Sequence, residues 1–129
     1  MEVIARAVVV RDGALLLMRG VTETFWFFPG GHVEAGETPE IALHRELREE
    51  LGAAATVDAR LGELENTWSD GGVAHHEVNH VFVVTLDVRD PVSQEPELVA
   101  RWHRLEDLDA TDARPRALVD LIVPQVGRR

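Results

Sequence analysis

The chain has 129 residues, 45% of them hydrophobic and 28% charged, which are the proportions of a folded globular chain and enough for one real core. Its formal net charge of −10 argues against a polymeric nucleic-acid partner, which needs a basic footprint; a small phosphorylated ligand stays compatible, because a bound divalent cation reverses the local field. Cysteine is absent, so disulfides, thiolate–zinc sites and a cysteine nucleophile are excluded. Glu2 and Arg6 interrupt the N-terminal segment, and no apolar run reaches the ~18 residues a membrane helix requires. These features point to a single domain over residues 1–129, in the cytoplasm, with no membrane partner.

In chain order, Val3 to Val10 is rich in β-branched residues, and Arg11-Asp12-Gly13 has the composition of a turn. With the apolar run Ala14 to Met18 this reads as a hairpin. Phe25 to Phe28 reads as a strand stopped by Pro29-Gly30-Gly31. A helix follows, with Thr38 as N-cap, Pro39 in the first position, and Gly52 as a left-handed stop after Leu51. Strands are expected at Val57 to Thr67 and Val78 to Val88, joined through Ser69-Asp70-Gly71-Gly72, and a shorter one at Arg101 to Leu105. Thr111 to Val123 reads as a second helix with Leu118, Leu121 and Ile122 on one side, and Arg128-Arg129 as a solvated end. No repeat or linker is visible, and the class is α+β.

The informative stretch runs from Gly31 to Ala53, GHVEAGETPEIALHRELREELGA. At about 100° per residue, Leu43, Leu47 and Leu51 form one apolar stripe. Glu46, Glu49 and Glu50 cluster on a neighbouring sector, since positions three and four apart share a face. Carboxylates so close repel each other and weaken the helix unless something compensates. A plain solvated acidic face is one reading. The sharper one is a hard divalent cation, which takes oxygen ligands and shares them with substrate phosphates. Gly30-Gly31 upstream lets backbone approach where a side chain would obstruct it.

This stretch resembles the Nudix box. Gly31, Glu37, Arg45, Glu46, Leu47, Glu49, Glu50 and Gly52 fall on its fixed positions, and Ala53 replaces the usual larger aliphatic. The resemblance implies an α/β/α sandwich around a mixed β-sheet. It implies Mg²⁺ (with Mn²⁺ as a substitute) held by Glu46, Glu49 and Glu50, with the Gly30 carbonyl as a further candidate ligand. It also implies that Arg45 and Glu37 are an orienting pair. A carboxylate must accept the proton of the attacking water; Glu46 and Glu49 within the helix, and Glu95, Glu97 and Glu77 elsewhere, are the candidates. The activity implied is Mg²⁺-dependent hydrolysis of a diphosphate linkage in a nucleoside di- or triphosphate, or in a nucleoside diphosphate joined to another group. The partner is then a small nucleotide-type molecule, and a homodimer is compatible.

Two rivals are weighed. A non-catalytic nucleotide sensor on the same fold would be expected to have lost box carboxylates, and this chain keeps them. His76-Glu77-Val78-Asn79-His80 spells a zinc-protease signature, which works only on a helix. The β-branched run that follows favours a strand, where residues four apart lie roughly 13 Å from one another. The zinc reading is therefore disfavoured, while His75, His76 and Glu77 remain candidates for lining a cleft. Trp26, Phe28, Trp68 and Trp102 are candidates for stacking on a base, against the ordinary role of core aromatics. Arg6 and Arg19 are candidate phosphate contacts, since guanidinium groups donate in pairs. Ser69 and Gly71 stand where some Nudix subfamilies carry a proline and a tyrosine, so no subfamily substrate is marked.

Overall fold

The computed structural model describes residues 1–126; Arg128 and Arg129, expected as a solvated end, lie outside them. Strands β1 (Glu2–Val8), β2 (Val10–Arg11), β3 (Ala14–Gly20), β4 (Trp26–Phe27) and β5 (Gly30–His32) precede helix α1 (Pro39–Leu51). The long strands β6 (Ala55–Asp70) and β7 (Val73–Leu86) follow, then β8 (Leu98–Arg104), a 3₁₀ turn at Leu105–Ala110, β9 (Ala113–Arg114) and helix α2 (Arg116–Val126).

One sheet has the order β5-β1-β7-β6 and is mixed: β1 runs parallel to β7 and antiparallel to β5. The other has the order β2-β3-β4-β9, with β8 added on β3. The central position of β1 explains its sequence, because a strand covered on both faces needs no polar alternation; Ile4, Ala5, Ala7 and Val8 are all buried. The same holds for Leu15 to Met18 in β3. Two cores result, each drawing on both sheets. One gathers Ala42, Leu43, Leu47 and Leu51 of α1 with Ala5, Ala7, Phe82, Leu16 and Met18. The other sets Leu118, Val119 and Ile122 of α2 against Val8, Val81, Leu15, Leu17 and Phe28. Sheets between two helices make the α+β sandwich that the sequence implied.

Helix α1 matches its expected limits. Thr38 Oγ1 accepts from the Ile41 N–H at 3.2 Å, and Gly52, at φ 60°, donates its N–H to the Arg48 carbonyl. Elsewhere the expectations need correction. Val3 to Val10 and Ala14 to Met18 are not two arms of one long hairpin, because the chain changes sheets near Val9 and only Val10–Arg11 pairs with β3. The Phe25 to Phe28 strand shrinks to Trp26–Phe27. Helix α2 begins at Arg116, since Ala113–Arg114 is spent pairing with β4. Leu121 is 40% exposed, and Val119 takes the buried place assigned to it.

Strands β6 and β7 pair antiparallel from Ala55↔Leu86 to Asp70↔Val73. Strand β1 accompanies β7 only as far as Glu2↔Glu77, so beyond that register the β6–β7 ribbon is two strands wide. No helix among the described residues is long and apolar enough to cross a membrane.

Candidate active site

The site begins at Arg45. Its Nε donates to Glu37 Oε2 at 2.7 Å and its Nη2 to Glu37 Oε1 at 2.9 Å, which fastens the loop before α1 to the helix. Nη2 also donates to the His32 carbonyl, and Nη1 reaches Glu46 Oε1 at 3.1 Å and Glu49 Oε2 at 3.3 Å. Hydrogen bonds from Arg45 and the Glu34 N–H hold the Glu37 carboxyl down at about 2. One guanidinium thus orients three box glutamates.

Glu50 is different. It is 6% exposed, and the Gly30 N–H donates to its Oε1 at 3.0 Å. Burial pushes its carboxyl up to about 8, and the charges of Glu46 and Glu95 add to that, against the pull of the Gly30 N–H and Arg6. A carboxyl in such a setting gains from a nearby cation. The backbone beside it leaves room: a Cβ on Gly31 would stand 2.7 Å from the Glu46 carboxylate, and one on Gly30 would collide with the Ala5 carbonyl at 2.0 Å. Clustered oxygen donors beside open glycine backbone suit a hard divalent ion. Among the described residues no three acidic or histidine side chains converge on one point as they stand; Glu46 and Glu49 are turned toward Arg45.

The segment after β7 brings further carboxylates. The Gln94 N–H donates to the Glu50 carbonyl at 2.7 Å, which ties this loop to the end of α1, and the Val21 N–H donates to the Glu97 carbonyl at 2.9 Å, which ties it to the end of β3. Burial raises the Glu95 carboxyl, and its hydrogen bond with Glu97 and the charges of Glu46 and Glu49 raise it further. Glu95 therefore stands near the box glutamates, with Glu97 as its neighbour.

Beside the box opens a cleft of about 750 Å³ whose wall includes Gly30, Gly31, Arg6, Glu77 and Trp68. Half-buried Arg6 donates through Nη1 to the Phe28 carbonyl at 2.9 Å. Desolvation lowers its pKa, opposed by the carboxylates of Glu77, Glu50 and Glu46, so it stands between cleft and box. Trp68, 42% exposed, lies flat on His75 with ring centroids 4.0 Å apart.

Several expected contacts fall elsewhere. Phe28 is wholly buried against α2 and has no ring face to offer a ligand. Trp26 packs edge-on to His103 at the rim of the same core. Arg19 lies over Trp26 and spends Nη1 on the carbonyls of Gly20 and Glu23. None of these lines the cleft, and Trp102 packs against the α1 core. His76 pairs with Glu65, and both it and His80 lie on strand β7, where the two cannot share one zinc ion. Unforeseen members of the cleft are Phe25, Phe27, Asn66 and Arg114. Asn66 had no legible signal, because its place opposite Glu77 depends on the register of β6 on β7. The place of Phe25 and Arg114 depends on β4 meeting β9, which no local pattern announces.

Comparison with known proteins agrees with this architecture. The family model of the NUDIX domain matches residues 1–121. The chain is 40% identical over 84 residues to a CTP pyrophosphohydrolase of Escherichia coli (strain K12), covering 62% of this chain and 61% of that one. It is 42% identical over 64 residues to a MutT-like protein of Streptomyces ambofaciens, covering 50% of this chain and 42% of that protein. The chain thus spans under two thirds of the length of these curated relatives. The crystal structure of a MutT NUDIX hydrolase from Burkholderia pseudomallei superposes with a TM-score of 0.77 at 29% identity, over 97% of both chains.

Proposed function

The chain belongs to the NUDIX family, and from that premise we propose that it hydrolyses a diphosphate linkage in a nucleoside di- or triphosphate, or in a nucleoside diphosphate joined to another group, with Mg²⁺ as the working ion. The observation that carries this reading is the buried Glu50 carboxyl, fixed by the Gly30 N–H and flanked by Glu46 at the open glycine wall. Glu46, Glu49 and Glu50, with the Gly30 carbonyl, are the residues that would hold the ion. Bound there, a divalent cation supplies charge neutralisation on the phosphate oxygens and acidifies a water molecule.

The protein's own part is placement. Arg45 and Glu37 keep the loop and helix in one arrangement, so the carboxylates are aimed before a ligand arrives. Arg6 offers a fixed positive charge between box and cleft, suited to a phosphate oxygen or a base carbonyl. Glu95 is our candidate acceptor for the proton of the attacking water, because its raised affinity for protons and its place beside Glu46 and Glu49 suit that task. Glu97, bonded to Glu95, would then position it.

The test is turnover of a nucleotide panel with magnesium, then manganese, then chelator, for the parent and for Glu49→Gln and Glu50→Gln, with folding checked by circular dichroism. Loss of nucleotide or phosphate release in both variants and in chelator is the expected result. Undiminished release in both variants would overturn the assignment.

A further inference from the structure

The segment that carries Glu95 runs from the end of β7 at Leu86 to the start of β8 at Leu98. At its beginning Asp87 and Ala54 exchange two bonds: the Asp87 N–H donates to the Ala54 carbonyl at 3.0 Å, and Asp87 Oδ1 accepts from the Ala54 N–H at 2.9 Å. Further on, the Gln94 N–H rests on the Glu50 carbonyl. The Gln94 side chain lies over Gly52 so closely that an added Cβ would stand 3.2 Å from its Cδ. Gln94 is thus fastened to the last turn of α1 and seated on the helix stop.

Glu95 comes next, and every hydrogen-bonding place of its backbone is filled. Its N–H donates to Ser93 Oγ at 3.2 Å, while its carbonyl accepts from the Ser93 hydroxyl at 2.8 Å and from the Leu98 N–H at 3.1 Å. The Leu98 bond closes a tight turn with Pro96 in its second position, which suits the fixed φ of proline. A residue before proline is itself confined to extended backbone. One hydroxyl, that of Ser93, therefore supplies two of the three bonds.

Such holding matters because the surroundings push Glu95 away. The charges of Glu46, Glu49 and Glu97 all act on its carboxyl, and like charges drive a flexible carboxylate toward solvent. Its side chain has one link, to Glu97, so the backbone has to keep it within reach of the box. We propose that Ser93 is a positioning residue of this site, whose hydroxyl locks the Glu95 backbone and so keeps the Glu95 carboxylate beside the box glutamates. The inference rests on the reading of Glu95 as proton acceptor, and adds to it a side chain outside the box that acts only through Glu95.

Ser93→Ala removes both bonds, Ser93→Thr keeps the hydroxyl, and Glu95→Gln keeps the side-chain shape without its basicity. Steady-state kinetics with magnesium, on the best substrate of the nucleotide panel, compares them, with a melting temperature for each protein. Ser93→Ala is expected to lower kcat about 10–100-fold with KM little changed, the scale set by moving a reacting group by about an ångström. Ser93→Thr should recover most of that loss. Added to Glu95→Gln, which is itself slowed, Ser93→Ala should cost less than about twofold more, since residues that act as a unit are not additive. In the metal-free protein, exchange of the Glu95 amide followed by NMR should quicken about 2–10-fold in Ser93→Ala, as loss of one hydrogen bond allows, and stay near the parent rate in Ser93→Thr.

A parental kcat or unchanged amide exchange in Ser93→Ala, while Glu95→Gln is slow, overturns the positioning role alone. So does a Ser93→Ala loss that is just as large on top of Glu95→Gln, because that is the mark of a merely structural residue. Undiminished turnover in Glu95→Gln overturns the acceptor reading and the positioning role together, and leaves the metal assignment to Glu49→Gln and Glu50→Gln. A parent inert to the whole panel overturns the hydrolase reading and this role with it.

Discussion

Arg45 grips Glu37 through two parallel bonds, at 2.7 and 2.9 Å, and with the rest of the same guanidinium touches Glu46 and Glu49. That fork cannot be copied by an ammonium group, which donates as a point charge. Arg45→Lys should therefore keep the charge and lose the aim. A fall in activity of about 10–100-fold is expected, the usual effect of removing a residue that orients ligands. Steady-state kinetics across a magnesium titration checks it, with the apparent metal affinity falling alongside.

The same pair sets an acid limit. Hydrogen bonds from Arg45 and the Glu34 N–H hold the Glu37 carboxyl at about 2 in the folded protein, well below the ordinary carboxylate value of about 4.5. A depressed carboxyl contributes stability that is present above its unfolded pKa and is lost as pH falls toward the folded one. Between pH 4.5 and 2 the parent should lose stability more steeply than Glu37→Gln. Chemical denaturation at stepped pH measures the difference.

Glu50 runs in the opposite sense. Its folded pKa is raised to about 8, so between 4.5 and 8 the folded state holds the proton more tightly than the unfolded chain. Stability without metal should consequently decline as pH rises through that interval and level off above it. Melting temperatures in chelator at pH 5.5 and 8.5 should show the decline, and Glu50→Gln should lessen it. Magnesium should raise the melting temperature more at the higher pH, because an ion need not displace a proton there.

The two glycines beside the helix differ in what they tolerate. At Gly30, φ is 131° and an added Cβ meets backbone at 2.0 Å, whereas at Gly31 it meets the end of the Glu46 side chain. Gly30→Ala should destabilise the fold outright. Gly31→Ala should leave the melting temperature nearer the parent value and reduce turnover by displacing Glu46. Thermal denaturation and kinetics on both proteins separate the two effects.

Phe28 and Trp68 divide labour in a way the sequence concealed. Phe28→Ala should cost about 3–5 kcal/mol of stability, as truncation of a buried aromatic does. Trp68→Ala should change stability little and raise KM, since a stacked base is worth about 1–3 kcal/mol. Denaturant titration and Michaelis analysis distinguish them.

How much of this was legible beforehand follows from the range of each interaction. Helix α1 was readable with both caps, because Thr38, Pro39 and Gly52 act within a few residues of themselves. The clustering of Glu46, Glu49 and Glu50 followed from helical periodicity, and the resemblance of the stretch supplied Arg45 and Glu37. The histidines of β7 were rightly denied a zinc ion on strand propensity. What failed depended on distant partners. Trp26, Phe28 and Arg19 sit in segments rich in aromatic and basic residues, and only the packing of α2 and the path of the Gly20–Glu23 turn decide that they face away from the cleft. The hairpin misreading has the same origin: Val9 is buried where the chain passes between sheets, and nothing local distinguishes it from a continuing strand.

The ribbon of β6 and β7 continues past the end of β1 with Trp68 and His75 on its outer part. A two-stranded arm is the least rigid form of sheet, and segments with few neighbours open at low free-energy cost. One bank of the cleft is therefore a spring and the opposite bank, built on β4 and β9, is fixed by the core. Amide exchange should be fastest at the tip of the arm and slow when a ligand is seated, so that the width of the binding groove is decided by how far the arm bends.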